Sequence, residues 1–143
     1  MKQDFAFGGI IFKKENDIST VLLVKKPHFT SWDIPKGHKE DDETDKEGAL
    51  RELAEETGYK NIELTDEKVT VSYEVEKPEG KIQKIVTFFV GIQEGKEVPE
   101  PKPDEDADEE GIEARWIPVN EALDLVTFGP FNSALQQAVT NLS

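Results

Sequence analysis

The sequence predicts a mixed fold of α and β elements, with a mostly β core covered by helices, and three observations carry that prediction. Runs of apolar and β-branched residues recur along the chain between short polar turns. A segment in the middle carries a helix start, an apolar stripe and a glycine stop. The C-terminal stretch has its apolar residues at helical spacing. With 143 residues, the chain predicts a single domain over 1–143 with a substantial core.

In order, "FAFGGIIF" (Phe5 to Phe12) and "TVLLVK" (Thr20 to Lys25) read as strands, with "ENDIS" turning between them. "VTVSYEVE" (Val69 to Glu76) and "IQKIVTFFVGI" (Ile82 to Ile92), joined through "KPEG", predict a hairpin. "EARWIPV" predicts a further short strand. "NEALDLV" and "PFNSALQQAVTNL" predict helices, the second with Phe131, Leu135 and Val139 on one stripe.

The central helix is the most sharply defined. Thr44 followed by Glu47 forms a capping box, and Gly58 supplies a left-handed stop, so the helix runs from Asp45 to Thr57. Ala49, Leu50 and Leu53 turn an apolar stripe to the core. Glu52, Glu55 and Glu56 stand at i, i+3 and i+4, which puts three carboxylates on one patch with Cβ atoms about 5–6 Å apart. Like charges so close destabilise a helix unless a divalent cation shares them, and hard cations prefer carboxylate oxygens. Gly48, one turn earlier, leaves room there for a ligand. A solvated acidic face explains the same three glutamates, and on these residues alone both readings stand.

Composition narrows the partners. The formal net charge of -14 argues against a nucleic-acid backbone or an anionic membrane, since both require a positive surface. Glu94 to Glu110 holds nine acids against two lysines, together with Pro99, Pro101 and Pro103, and such a self-repelling stretch predicts an exposed loop. The chain has no cysteine, so a bound metal must sit on oxygen or histidine. No apolar run approaches bilayer length and the N-terminus has no signal-peptide pattern, which predicts a cytoplasmic protein.

Gly37, Glu43, Arg51-Glu52-Leu53, Glu55-Glu56 and Gly58-Tyr59 together have a spacing that resembles the Nudix box, departing only at Tyr59, where an aliphatic residue is usual. The resemblance implies a loop-helix-loop on an α/β/α sandwich around a mixed sheet, and hydrolysis of a nucleoside diphosphate linked to another group. It further implies Glu52, Glu55 and Glu56 as ligands of Mg²⁺ or Mn²⁺, joined by the backbone carbonyl of Gly37. Arg51 would orient a carboxylate, and Glu43 would stand behind the ligands.

The flanks resemble one branch of that superfamily. Trp32, Pro35, Lys36, Gly37 and His38 match the Trp-x-x-Pro-Lys-Gly-His run of the asymmetrical diadenosine tetraphosphate hydrolases. That likeness implies phosphate contacts from Lys36 and His38, and a substrate hairpin in which Tyr73 and Lys81 or Lys84 meet phosphates while Phe88 stacks on adenine. Glu110 matches the position of a general base or extra metal ligand, with Glu109 and Glu113 as rivals and Glu55 as the candidate within the box.

The expectation is therefore a monomeric, metal-dependent hydrolase of a small nucleotide substrate, cutting diadenosine tetraphosphate to ATP and AMP. Other substrates remain as alternatives: an oxidised nucleoside triphosphate, ADP-ribose or an RNA 5′ end. A nucleotide-binding sensor without catalysis and a structural interaction module are alternatives of another class.

Overall fold

The computed structural model describes residues 1–15, 18–60, 62–93 and 111–142. The order is β1 (Lys2–Glu15), β2 (Ile18–Lys25), β3 (Lys36–Gly37), α1 (Asp45–Thr57), β4 (Glu63–Lys77), β5 (Gly80–Ile92), β6 (Glu113–Pro118), α2 (Val119–Leu125) and α3 (Gly129–Leu142). The strands form one mixed sheet in the order β4-β5-β1-β2-β6, with β3 attached to β1. Among the described residues only the β1–β5 pair is parallel, while the other pairings are antiparallel.

β1 and β4 extend beyond the apolar runs that predict them. β5 offers β1 partners from Lys2↔Ile82 to Phe12↔Ile92, so backbone pairing carries the strand past its apolar centre. The start of β4 is polar, and a register shift between Leu64 and Lys68 absorbs its irregular pattern.

Helices cover both faces of the sheet, and alternation along each strand feeds both cores. Ile10, Phe12, Leu23, Val86 and Phe88 pack with Ala122 of α2 and with Phe131 and Leu135 of α3. Ile11, Leu22 and Val24 pack with Leu53 of α1, while Phe7 and Phe89 pack with Ala49. This corrects one expectation: Phe88 is fully buried, with its ring edge-on to Phe131 at 5.3 Å between centroids. It cannot stack on adenine, because none of its surface is exposed.

The ends of α1 form by local chemistry. Thr44 Oγ1 accepts from the Glu47 amide, Glu47 Oε1 accepts from the Thr44 amide, and Gly58 stops the helix at φ 83°. Gly48 makes no room for a ligand. A Cβ there would stand 2.5 Å from the Cβ of Lys39, so this glycine lets the preceding loop lie against the helix. Tyr59, in place of an aliphatic residue, is buried, and its hydroxyl accepts from the Trp116 indole at 2.9 Å. Among the described residues no helix is long and apolar enough to cross a membrane.

Candidate active site

A cavity of about 330 Å³ opens where α1, β3 and the β1–β5 pair meet, lined by Lys36, Gly37, His38, Glu52, Glu55 and Glu56 together with Asp4, Lys26, Tyr73 and Lys84. Its wall is assembled by the Pro-Lys-Gly turn, which pairs with Phe7 and Gly8 of β1. That turn presses onto α1. A Cβ at Gly37 would lie 2.2 Å from the Glu52 carboxyl carbon, so any side chain at Gly37 would displace that carboxylate.

The three glutamates have different surroundings. Glu56 is 5% exposed, and its Oε1 accepts from the Lys36 amide at 3.0 Å while Lys26 Nζ stands 3.8 Å from Oε2. Burial, outweighing the nearby lysine charges, pushes its carboxyl up to about 7. Glu52 and Glu55 each place Oε1 3.1 Å from Arg51 Nη1. The rest of that guanidinium binds Glu43, with Nε to Oε2 at 2.9 Å, and donates to the His38 carbonyl at 2.7 Å. The Glu43 bond holds the Arg51 proton more firmly than usual, and Arg51 in return draws the Glu43 carboxyl below its usual range.

These residues fit a hard divalent cation. The donors are all oxygen, one carboxylate is buried with its charge incompletely offset, and the glycine turn leaves a close approach that a side chain would fill. Among the described residues no three His, Asp or Glu stand in a metal-holding arrangement, because Arg51 ties Glu52 and Glu55 while Glu56 faces the Lys36 amide.

Lys84 lines the cavity, whereas Lys81 lies nearer the β4–β5 turn, exposed and outside the lining. Asp4, which no local pattern marks, joins Lys84 to His38: its Oδ2 accepts from Lys84 Nζ, and its oxygens lie 2.9 and 3.0 Å from His38 Nε2. Glu109 and Glu110 lie outside the described residues. Glu113 is half exposed on β6, beside Arg115 at 3.5 Å, and does not line the cavity.

A second cavity, of about 530 Å³, is aromatic: Phe29, Trp32, Tyr73, Phe128 and Phe131 line it with Asp33, and Lys26, Lys36 and Tyr73 belong to both cavities. Tyr73 meets Phe128 edge-on at 4.8 Å and Phe131 at 5.7 Å. The Asn132 side chain fixes the Phe128 turn by donating to the Leu123 and Val126 carbonyls at 2.7 and 2.9 Å. Asp33 is held above the usual carboxylate range by burial. Phe29 and Phe128 are 62% and 44% exposed, large aromatic surfaces to leave in water. No sequence pattern groups these rings, because they come from three separate segments.

A mixed sheet between helices, with a capped helix carrying paired glutamates against a Pro-Lys-Gly turn, defines a nucleotide-pyrophosphate type of site. The chain belongs to the Nudix family: the NUDIX domain matches residues 2–136. Nudix hydrolases generally use divalent metal ions and act on small nucleotide substrates. It is 31% identical to the bis(5′-nucleosyl)-tetraphosphatase [asymmetrical] of Mus musculus over 92% of this chain and 90% of that one. It is 27% identical to an 8-oxo-(d)GTP phosphatase of Mycolicibacterium smegmatis over 83% of this chain, a match spanning 33% of that protein. A 44-residue match to a Bacillus subtilis protein likewise spans 30% of its length. Among solved structures, a C. elegans Ap4A hydrolase binary complex superposes with a TM-score of 0.78 at 20% identity, covering 96% of each chain.

Proposed function

We propose that the protein is a metal-dependent pyrophosphohydrolase of dinucleoside polyphosphates that cuts diadenosine tetraphosphate to ATP and AMP. The observation that carries this reading is the junction of two unlike cavities through Lys26, Lys36 and Tyr73. A ligand that uses lysines, hard-cation carboxylates and an aromatic slot in two adjoining cavities is a nucleotide with a phosphate chain. The likeness to the mouse tetraphosphatase along nearly its whole length supports the dinucleotide form.

In this reading Glu52, Glu55, Glu56 and the Gly37 carbonyl hold Mg²⁺ or Mn²⁺, which supplies positive charge to the phosphate oxygens when bound. Arg51, braced by Glu43, orients Glu52 and Glu55. Lys36, Lys84 and His38 donate to the phosphate chain, and the base lies in the aromatic cavity against Tyr73 and its neighbours. Water adds to one phosphorus, the P–O bond to the leaving nucleotide breaks, and a carboxylate takes the water's proton. Glu55, whose side chain is 36% exposed against 16% for the Glu52 side chain and 7% for that of Glu56, is the described carboxylate best placed to reach that water. Glu110 is its rival.

The test is a panel of diadenosine tetraphosphate, ADP-ribose and 8-oxo-dGTP with Mg²⁺, with products separated chromatographically. Equimolar ATP and AMP, formed fastest from the tetraphosphate, is the expected result. The M. smegmatis relative favours a second reading, hydrolysis of oxidised nucleoside triphosphates. Faster turnover of 8-oxo-dGTP would replace the first reading with that one. Glu110→Gln, measured at saturating Mg²⁺, separates the two candidate bases: a loss of about 10² to 10⁴-fold in kcat assigns the base to Glu110, and near-normal turnover assigns it to Glu55, whose own substitution also removes a metal ligand.

A further inference from the structure

We propose that Asp4 is a specificity-determining residue, favouring phosphate chains capped at both ends over chains that end in a free terminal phosphate. The inference rests on the dinucleotide reading of the same cavity. Asp4 and Lys84 are register partners in the parallel β1–β5 pair, so the strands themselves set their side chains next to one another. One carboxylate bridges the Lys84 ammonium and the His38 ring, and all three groups line the cavity that holds Glu52, Glu55 and Glu56. Asp4 thus occupies, on those two donors, the place a phosphate oxygen would take.

Unlike a mobile counter-ion, Asp4 cannot leave. Its backbone is paired inside the sheet, and its charge persists, since hydrogen bonds from Lys84 and His38 outweigh the effect of burial and keep the carboxyl below its usual range. Any phosphate reaching Lys84 and His38 meets that fixed negative charge. An internal phosphate of a capped chain carries one negative charge, whereas a terminal phosphate carries about -1.5 to -2 near neutral pH. The repulsion therefore falls more heavily on ATP, the larger product, than on the intact dinucleotide.

The experiment uses the full chain with Asp4→Asn, and with Asp4→Ser as a second uncharged variant. It measures the inhibition constant of ATP and the KM for diadenosine tetraphosphate. The expected result in both variants is an ATP inhibition constant lower by about tenfold, with a tetraphosphate KM lower by no more than about threefold. Tighter binding is a readout that a purely structural role of Asp4 cannot produce. An ATP constant unchanged or raised, or equal tightening for both ligands, would overturn the inference. Calorimetric binding of ATP and of diadenosine tetraphosphate in metal-free buffer reads the same discrimination without turnover. If the wild type fails to cleave the tetraphosphate yet Asp4→Asn still tightens ATP selectively, the catalytic reading falls and the role of Asp4 stands.

Discussion

The two cavities that meet at Tyr73 are built on opposite plans. In the carboxylate cavity the polar groups are tied to one another: Arg51 holds Glu43, Glu52 and Glu55, the Lys36 amide holds Glu56, and Asp4 holds His38 and Lys84. In the aromatic cavity the rings touch edge to face and leave Phe29 and Phe128 widely exposed. The first plan restrains each polar group through its partners, as charge stabilisation at a reacting phosphate requires. The second offers surface without a fixed pattern of donors, which suits a base that is gripped by stacking. Substitutions at the carboxylates of the first cavity should therefore act on kcat, and those at its phosphate-facing lysine or in the second cavity on KM.

The largest expected effect is that of Glu56→Gln, which removes a proposed metal ligand and lowers kcat by about 10³-fold in a Mg²⁺-dependent assay. Near-normal turnover would break the division of labour. Next comes Lys84→Ala, which deletes one proposed charge-assisted phosphate contact and raises KM by tenfold or more, while Lys81→Ala, outside the cavity, changes it by less than about twofold. Equal effects of the two lysines would show that the hairpin contacts substrate along its whole length. Phe128→Ala follows, with a rise in KM of about fivefold to tenfold and kcat within twofold, as loss of one stacking surface predicts. A fall in kcat instead would mean that the aromatic cavity also positions the reacting phosphate.

The smallest effect is on stability. Burial pushes the Glu56 carboxyl up to about 7 in the fold from 4.5 in an exposed glutamate, so the folded state holds this proton more tightly than the unfolded chain does. Its contribution to stability is therefore greatest below about pH 4.5 and is lost as pH rises through about 7, by about 3 kcal/mol in all. In metal-free buffer, Glu56→Gln should melt higher than the wild type at pH 8 by roughly 5 °C or more, and the gap should close toward pH 5. A gap independent of pH would show that Glu56 is not a buried charge.

How far the sequence could be read depended on the distance over which each signal acts. Thr44, Glu47 and Gly58 settle the ends of α1 because each capping bond is made within the helix and its adjoining residues. The Gly37-to-Tyr59 register was legible for the same reason. The solvated-face alternative does not describe Glu56, whose burial comes from the Pro-Lys-Gly turn folding over α1. Phe88 and Phe89 alternate as a strand requires, but alternation cannot tell that both faces of this sheet are covered, so an aromatic assigned to substrate is core. Asp4 was invisible because its partner lies 80 positions away. The aromatic cavity leaves no local signal because Trp32, Tyr73 and Phe128 become neighbours only after the sheet and α3 have docked.

The parallel contact between β1 and β5 has a consequence for how the molecule acquires its shape. Two strand pairs join segments far apart in the chain: β2 meets β6 across an even longer stretch, and β1 must wait for a partner about 80 residues downstream, after the β4–β5 hairpin exists. Ordering so long an intervening segment makes closure of the sheet a slow, non-local event. The cavity lies across that seam, with Asp4 on one side and Lys84 on the other, so in refolding from denaturant catalytic competence is expected to return after most helical and hairpin signals, making enzyme activity a clock for the final step of assembly.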